Sequence, residues 1–185
     1  MSADKRPEHH KRDLLLSDRI SQGTVKDIIK DIFEINFDDD EKEEIYKDWE
    51  RKPIQLFINS YGGSVYDGLA LIDVIKRSKT PVHTVCIGSC MSMALWVWLS
   101  GAKRFVGESA TLMFHDVSLF AYDKTEGIKQ ELNEMIRLQE MLVSEIVGKS
   151  MIKEETLRDY ISRKGEWYIP ATEAITLKRS DKYYK

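Results

Sequence analysis

The chain has 185 residues, 42% of them hydrophobic and 32% charged, with a formal net charge of −3. That length suits one domain with a substantial core, and the composition excludes a disordered chain. The slight negative charge gives no general electrostatic case for nucleic-acid binding, and no apolar run reaches membrane-spanning length.

Residues 1–12 (MSADKRPEHHKR) are mostly charged and are predicted to form a flexible arm, with His9 and His10 read as solvated. A start on charges in place of an apolar signal core makes a cytoplasmic location the expectation. Residues 13–185 are expected to form a single domain. Leu14-Leu15-Leu16 begins it as a short buried strand. From Gly23 to Phe33, Val25, Ile28, Ile29, Ile32 and Phe33 mark the packing face of a helix. The run Asp38 to Glu44 superficially resembles a calcium loop. It lacks the glycine and terminal glutamate at the required spacing, so a solvated loop or helix start is predicted and no metal site.

Ile54 to Ile58 reads as a buried strand, Gly62-Gly63 as a turn, Val65 to Ile75 as a helix and Val82 to Ile87 as the next strand. A small-residue turn and the helical run from Met93 to Leu99 follow. This alternation predicts an α/β fold with a mainly parallel sheet covered by helices. Short strands are expected at Lys103–Val106 and Thr111–Phe114. Residues 128–147 carry the longest helical pattern, a broad face rich in Met and Leu that suits a core or, in a projecting helix, a subunit interface. A further helix is expected around Leu157, Tyr160 and Ile161, and a last strand or turn at Trp167–Pro170. There is no internal repeat.

Three features bear on chemistry. Ser92 stands where a strand pattern ends and a helix begins, beside free backbone N–H groups that favour negative charge on a nearby oxygen. The turn Gly62-Gly63 lets backbone donors approach a substrate closely, and His115 ends the apolar run Leu112-Met113-Phe114. Each also has a plain structural reading: Ser92 as a helix cap, the glycines as a tight turn, His115 as a packed side chain. Their occurrence together, each near a strand end, matches the needs of a serine hydrolase. Cys86 reads as a core residue, and Cys90 is a rival nucleophile with a poorer position than Ser92.

These residues resemble the proteolytic subunit of the Clp protease, the ClpP family of ring-forming serine peptidases. The resemblance covers about Leu14 to Asp181. It is carried by Phe57 to Val65, by Cys86-Ile87-Gly88 through Ser92-Met93-Ala94, by Gly101 to Phe105, by Met113-Phe114-His115, and by Tyr168 to Ala174. It implies a ClpP/crotonase-like fold with a long projecting helix, about Thr125 to Gly148, that joins two rings face to face. Ser92 is then the nucleophile, His115 the general base, and the N–H groups of Gly63 and Met93 the oxyanion hole. Glu166 falls where the family usually has the aspartate of the triad, with Asp159 and Asp181 as weaker candidates.

The resemblance also implies a polypeptide substrate and a homo-oligomeric assembly of stacked heptamers. No cofactor in this chain is implied, and ATP would be used only by a partner AAA+ unfoldase. The chain departs from the family at several places. Tyr61 replaces a proline before the glycine pair, Asp116 to Phe120 lacks glycines, Lys178 replaces a glycine, and the N-terminal arm differs from the family's pore-lining loops. Two rival expectations follow. A catalytically weak or inactive structural subunit of a mixed ring shares the fold, and Glu166 favours it. An acyl-CoA enzyme of the crotonase fold also uses paired oxyanion donors, but needs no serine–histidine pair.

Overall fold

A computed structural model describes residues 11–117, 125–176 and 183–184. Most of the expected arm, residues 1–10, therefore lies outside the described residues. Chain order is β1 (Asp13–Leu16), α1 (Gln22–Ile45), β2 (Ile54–Ser60), α2 (Val65–Arg77), β3 (Val82–Met91) and α3 (Met93–Leu99). Then come β4 (Lys103–Val106), β5 (Thr111–Phe114), α4 (Thr125–Lys149), α5 (Glu154–Ser162), β6 (Trp167–Pro170) and α6 (Ala171–Thr176). The strands form one sheet in the order β1-β2-β3-β5-β6, with β4 pairing the first half of β3. All pairings are parallel except β5 with β6. This is the mainly parallel, helix-covered sheet expected from the alternation of patterns.

Burial explains the order. Ile54, Leu56 and Ile58 of β2 and Val85, Cys86 and Cys90 of β3 are fully buried, as central strands of a covered sheet require. All seven residues of α3 are buried, so this helix is apolar all round and runs through the core. The second half of α4 packs inward through Leu138, Leu142, Val143 and Ile146. Its first half instead leaves Ile128, Leu132 and Ile136 between 42% and 51% exposed.

Two elements run longer than expected. The helix α1 continues through the acidic run to Ile45, and its buried face reads Val25, Ile28, Ile32, Ile35 and Asp39. The run is therefore neither a loop nor a helix start. Its apolar spacing persists, but Asp39 fills a slot where an aliphatic residue is anticipated. Burial of that carboxylate is possible because Arg12, Thr80 and Trp49 all donate to it. Arg12 is itself buried and so belongs with the domain, not with the arm. Likewise β3 runs on to Met91 through Gly88, whose φ of +83° and missing side chain make room for Asn59 Oδ1. That oxygen accepts from both the N–H and the hydroxyl of Ser89.

Candidate active site

The residue between β3 and α3 is Ser92, with φ 51° and ψ −129°. Among the described residues only Ser92 and Lys164 combine a positive φ with a side chain. Such a conformation costs of order 1–3 kcal/mol and persists only where the surroundings hold it. Here the Ser92 N–H donates to the Met113 carbonyl at 2.9 Å, and the Leu95 N–H donates to the Ser92 carbonyl at 2.9 Å. The hydroxyl caps no backbone N–H of α3. The backbone is thus fixed and the side chain left over, which removes the helix-cap reading of Ser92.

The glycine turn is fitted to this junction. A Cβ on Gly62, whose φ is +97°, would stand 2.8 Å from both the Met91 carbonyl oxygen and Ser92 Cβ. One on Gly63 would stand 2.2 Å from the Ile20 carbonyl oxygen. Ile20 bridges the turn, donating to the Gly62 carbonyl at 2.9 Å and accepting from the Ser64 N–H at 2.9 Å. The Gly63 N–H takes no part in that bridge. Ser60 Oγ accepts from the Gly62 N–H and donates to the Asp18 carbonyl, completing the brace.

A cavity of about 710 Å³ opens over these strand ends. Gly62, Gly63, Ser92, Trp96, His115 and Asp116 all line it. The chain thus brings together three of the expected groups, Ser92, His115 and Gly63, from the ends of β3, β5 and β2. Met93 is not part of the lining. Its side chain is buried against Gly68, so its N–H at the start of α3 is what it can offer. No hydrogen bond joins Ser92 Oγ to the His115 ring in this arrangement. The carboxylate within 4 Å of that ring, among the described residues, is Asp116, with Nδ1 and Oδ1 4.0 Å apart.

Glu166 immediately precedes β6. The β5–β6 ladder ends on the pair Phe114–Trp167, so His115 and Glu166 are the residues that flank its last rung. The carboxylate is engaged elsewhere, however: Glu166 Oε2 accepts from the Tyr168 hydroxyl at 2.6 Å. This bond raises the Tyr168 phenol above its ordinary range, because the adjacent carboxylate opposes a second negative charge. Asp159 is ion-paired with Arg163 at 2.8 Å on α5, and Asp181 and Lys178 lie outside the described residues. Cys90 is wholly buried, and burial followed by contact with Cys86 pushes its thiol well up. A thiol so held is no nucleophile.

Sequence reasoning gave no site role to Asp116, Trp96 or Tyr168. Asp116 carried a signal, an acid directly after the candidate base. The other two are recognisable only once the cavity and the ladder register are known.

The model of the family described as "Clp protease" matches residues 9–177. The chain is 30% identical over 162 residues to the ATP-dependent Clp protease proteolytic subunit 1 of Prochlorococcus marinus (strain MIT 9312), covering 84% of this chain and 78% of that protein. It is 29% identical over 162 residues to the proteolytic subunit 2 of Parasynechococcus marenigrum (strain WH8102), covering 84% and 77%. A further subunit 1, from P. marinus subsp. pastoris, is 31% identical over 156 residues, covering 80% and 74%. With a match spanning nearly the whole domain, and with the parallel sheet and strand-end cavity described above, the chain belongs to the Clp protease family.

Proposed function

We propose that this chain is a serine endopeptidase that cleaves unfolded polypeptides through an acyl-enzyme on Ser92. The observation that carries the reading is the single cavity shared by Ser92, His115 and the Gly62-Gly63 turn. In this reading His115 Nε2 accepts the Ser92 proton as Oγ attacks the scissile carbonyl, and returns it to the leaving amine. The N–H groups of Gly63 and Met93 receive the oxyanion, a contribution typically worth about 10²–10³ in turnover per donor. Water then releases the acyl group by the same proton path in reverse. Glu166, which like His115 flanks the last rung of the β5–β6 ladder, accepts from His115 Nδ1 once it leaves Tyr168.

The chain is further read as a homo-oligomer of stacked heptameric rings. The exposed apolar stripe on the first half of α4, Ile128, Leu132 and Ile136, supports a contact between rings. A chamber of that kind selects threaded chains and short peptides over folded proteins. An AAA+ unfoldase is the partner this implies, supplying extended polypeptide at the expense of ATP.

The test is covalent. Purified, assembled protein is incubated with a fluorophosphonate and its mass measured. One adduct per chain, mapped to Ser92 and lost in Ser92→Ala and His115→Gln, supports the peptidase. An assembled wild-type particle that stays unmodified favours a structural subunit of a mixed ring, the reading that the engagement of Glu166 by Tyr168 suggests.

A further inference from the structure

Glu166 is the acid assigned to His115 by the resemblance, but it is not the acid nearest the ring. We infer that Asp116 is a positioning residue for His115, holding its Nδ1 proton while Glu166 is bound to Tyr168. The catalytic meaning of this inference rests on the peptidase reading; the geometry behind it does not.

Five observations carry it. Asp116 Oδ1 faces Nδ1 of the imidazole at 4.0 Å, and Nδ1 is the nitrogen that must keep its proton if Nε2 is to accept one from Ser92. Both side chains line the same cavity, whereas Glu166 does not. Strand β5 ends at Phe114, so His115 and Asp116 lie beyond the ladder. The alternation that would send neighbouring side chains to opposite faces no longer applies there. The backbone after Asp116 is also anchored, because the Val117 N–H donates to Gln139 Oε1 of α4 at 2.6 Å. Glu166, by contrast, spends one carboxylate oxygen on the Tyr168 hydroxyl, a short charge-assisted bond to the strand that follows it.

The separation of 4.0 Å is longer than a hydrogen bond, and catalytic contacts commonly tighten only when substrate closes the site. The Asp116 side chain is 41% exposed, so its effect comes from orienting the ring and fixing its tautomer more than from unscreened charge. No bond to Asp116 is made or broken. The proton on Nδ1 stays there while the Ser92 proton moves to Nε2.

The experiment reads the tautomer directly. Histidine-labelled, assembled protein is studied by solid-state ¹⁵N NMR, with the His115 signals identified by their loss in His115→Gln. The neutral ring is expected to carry its proton on Nδ1 in the wild type and in Glu166→Gln. In Asp116→Asn a substantial Nε2–H fraction is expected, and Asp116→Glu should restore the wild-type state. Fluorophosphonate acylation should fall about 10-fold or more in Asp116→Asn. A tautomer unchanged in Asp116→Asn, or one altered only in Glu166→Gln, overturns the inference. A wild type that shows the Asp116-dependent tautomer yet is not acylated upholds the inference and overturns the peptidase reading.

Discussion

Arg12 and Asp39, 27 positions apart, are joined by a two-pronged contact in which Nη1 donates to Oδ2 at 2.8 Å and Nη2 to Oδ1 at 2.6 Å. The pair fastens the residue just before β1 to the last third of α1, and both side chains are buried. Thr80 Oγ1 and Trp49 Nε1 add two further donors to the same carboxylate. Burial alone pushes the Asp39 carboxyl up, but the bonds from Arg12 and Thr80 and the charge of Arg12 outweigh it and hold the group below the usual carboxylate range. The folded value is thus depressed, so the stability it contributes is present above an ordinary aspartate pKa of about 3.9. It is lost as the pH falls through the lower folded value. Asp39→Ala should cost about 3–5 kcal/mol at pH 7, since it leaves the Arg12 charge buried without its partner. Urea titrations of wild type and variant should show that gap narrowing below about pH 4.

The Gly62 position makes a second prediction, on the link between the turn and Ser92. A side chain there meets the Met91 carbonyl, which is backbone and cannot swing aside, and it also needs a φ of +97°. Gly62→Ala should therefore displace the turn from Ser92. We expect a loss of about 2–3 kcal/mol in stability and of at least about 100-fold in fluorophosphonate acylation. Gly23 is the control. It lies in the first turn of α1, where an added methyl would meet nothing within 4 Å, so Gly23→Ala should be neutral or stabilising by about 0.5–1 kcal/mol. Thermal melts beside acylation rates separate the two cases.

The same residues show which parts of the protein could be read from its sequence. Strand and helix order followed from mainly apolar runs such as Ile54–Ile58 and from the spacing of α1, because a covered parallel sheet imprints its burial directly on composition. Asp39 was illegible for the opposite reason. Its burial depends on three donors from distant positions, and a charge within an acidic run carries no mark of them. Ser92, Gly63 and His115 were legible because strand ends meet at one edge of such a sheet. The preference of the His115 ring for Asp116 was not, since it depends on where β5 stops and on Tyr168 claiming Glu166.

The stripe on α4 makes a prediction about assembly. Ile128, Leu132 and Ile136 recur every four residues and so share one face, exposed in the single chain. Leu132→Lys with Ile136→Lys should leave the fold of the protomer intact, because neither side chain enters the core. If the stripe joins rings, sedimentation should show the particle mass falling about twofold while far-ultraviolet circular dichroism is unchanged. Leu142 lies further along the same helix but is buried, so Leu142→Lys should instead lower stability by several kcal/mol. An undiminished particle mass in the double lysine variant removes this face from the assembly.

Ser92 itself supplies the last prediction, because its backbone and its hydroxyl make opposite demands. The φ of 51° with ψ −129° is unfavourable for any residue with a Cβ, and Ser92→Ala leaves that cost in place. Ser92→Gly relieves it, at the expense of about 0.5–1 kcal/mol from the greater freedom of glycine in the unfolded chain. With strain of about 1–3 kcal/mol, the glycine variant should be more stable than the alanine variant by about 1 kcal/mol, even though neither can be acylated. Chemical denaturation of the two side by side gives the comparison. Equal stabilities would mean that the junction relaxes once the hydroxyl is gone. Greater stability of Ser92→Gly would mean that the turn between β3 and α3 is held in a costly shape whose one return is an alcohol presented to the cavity.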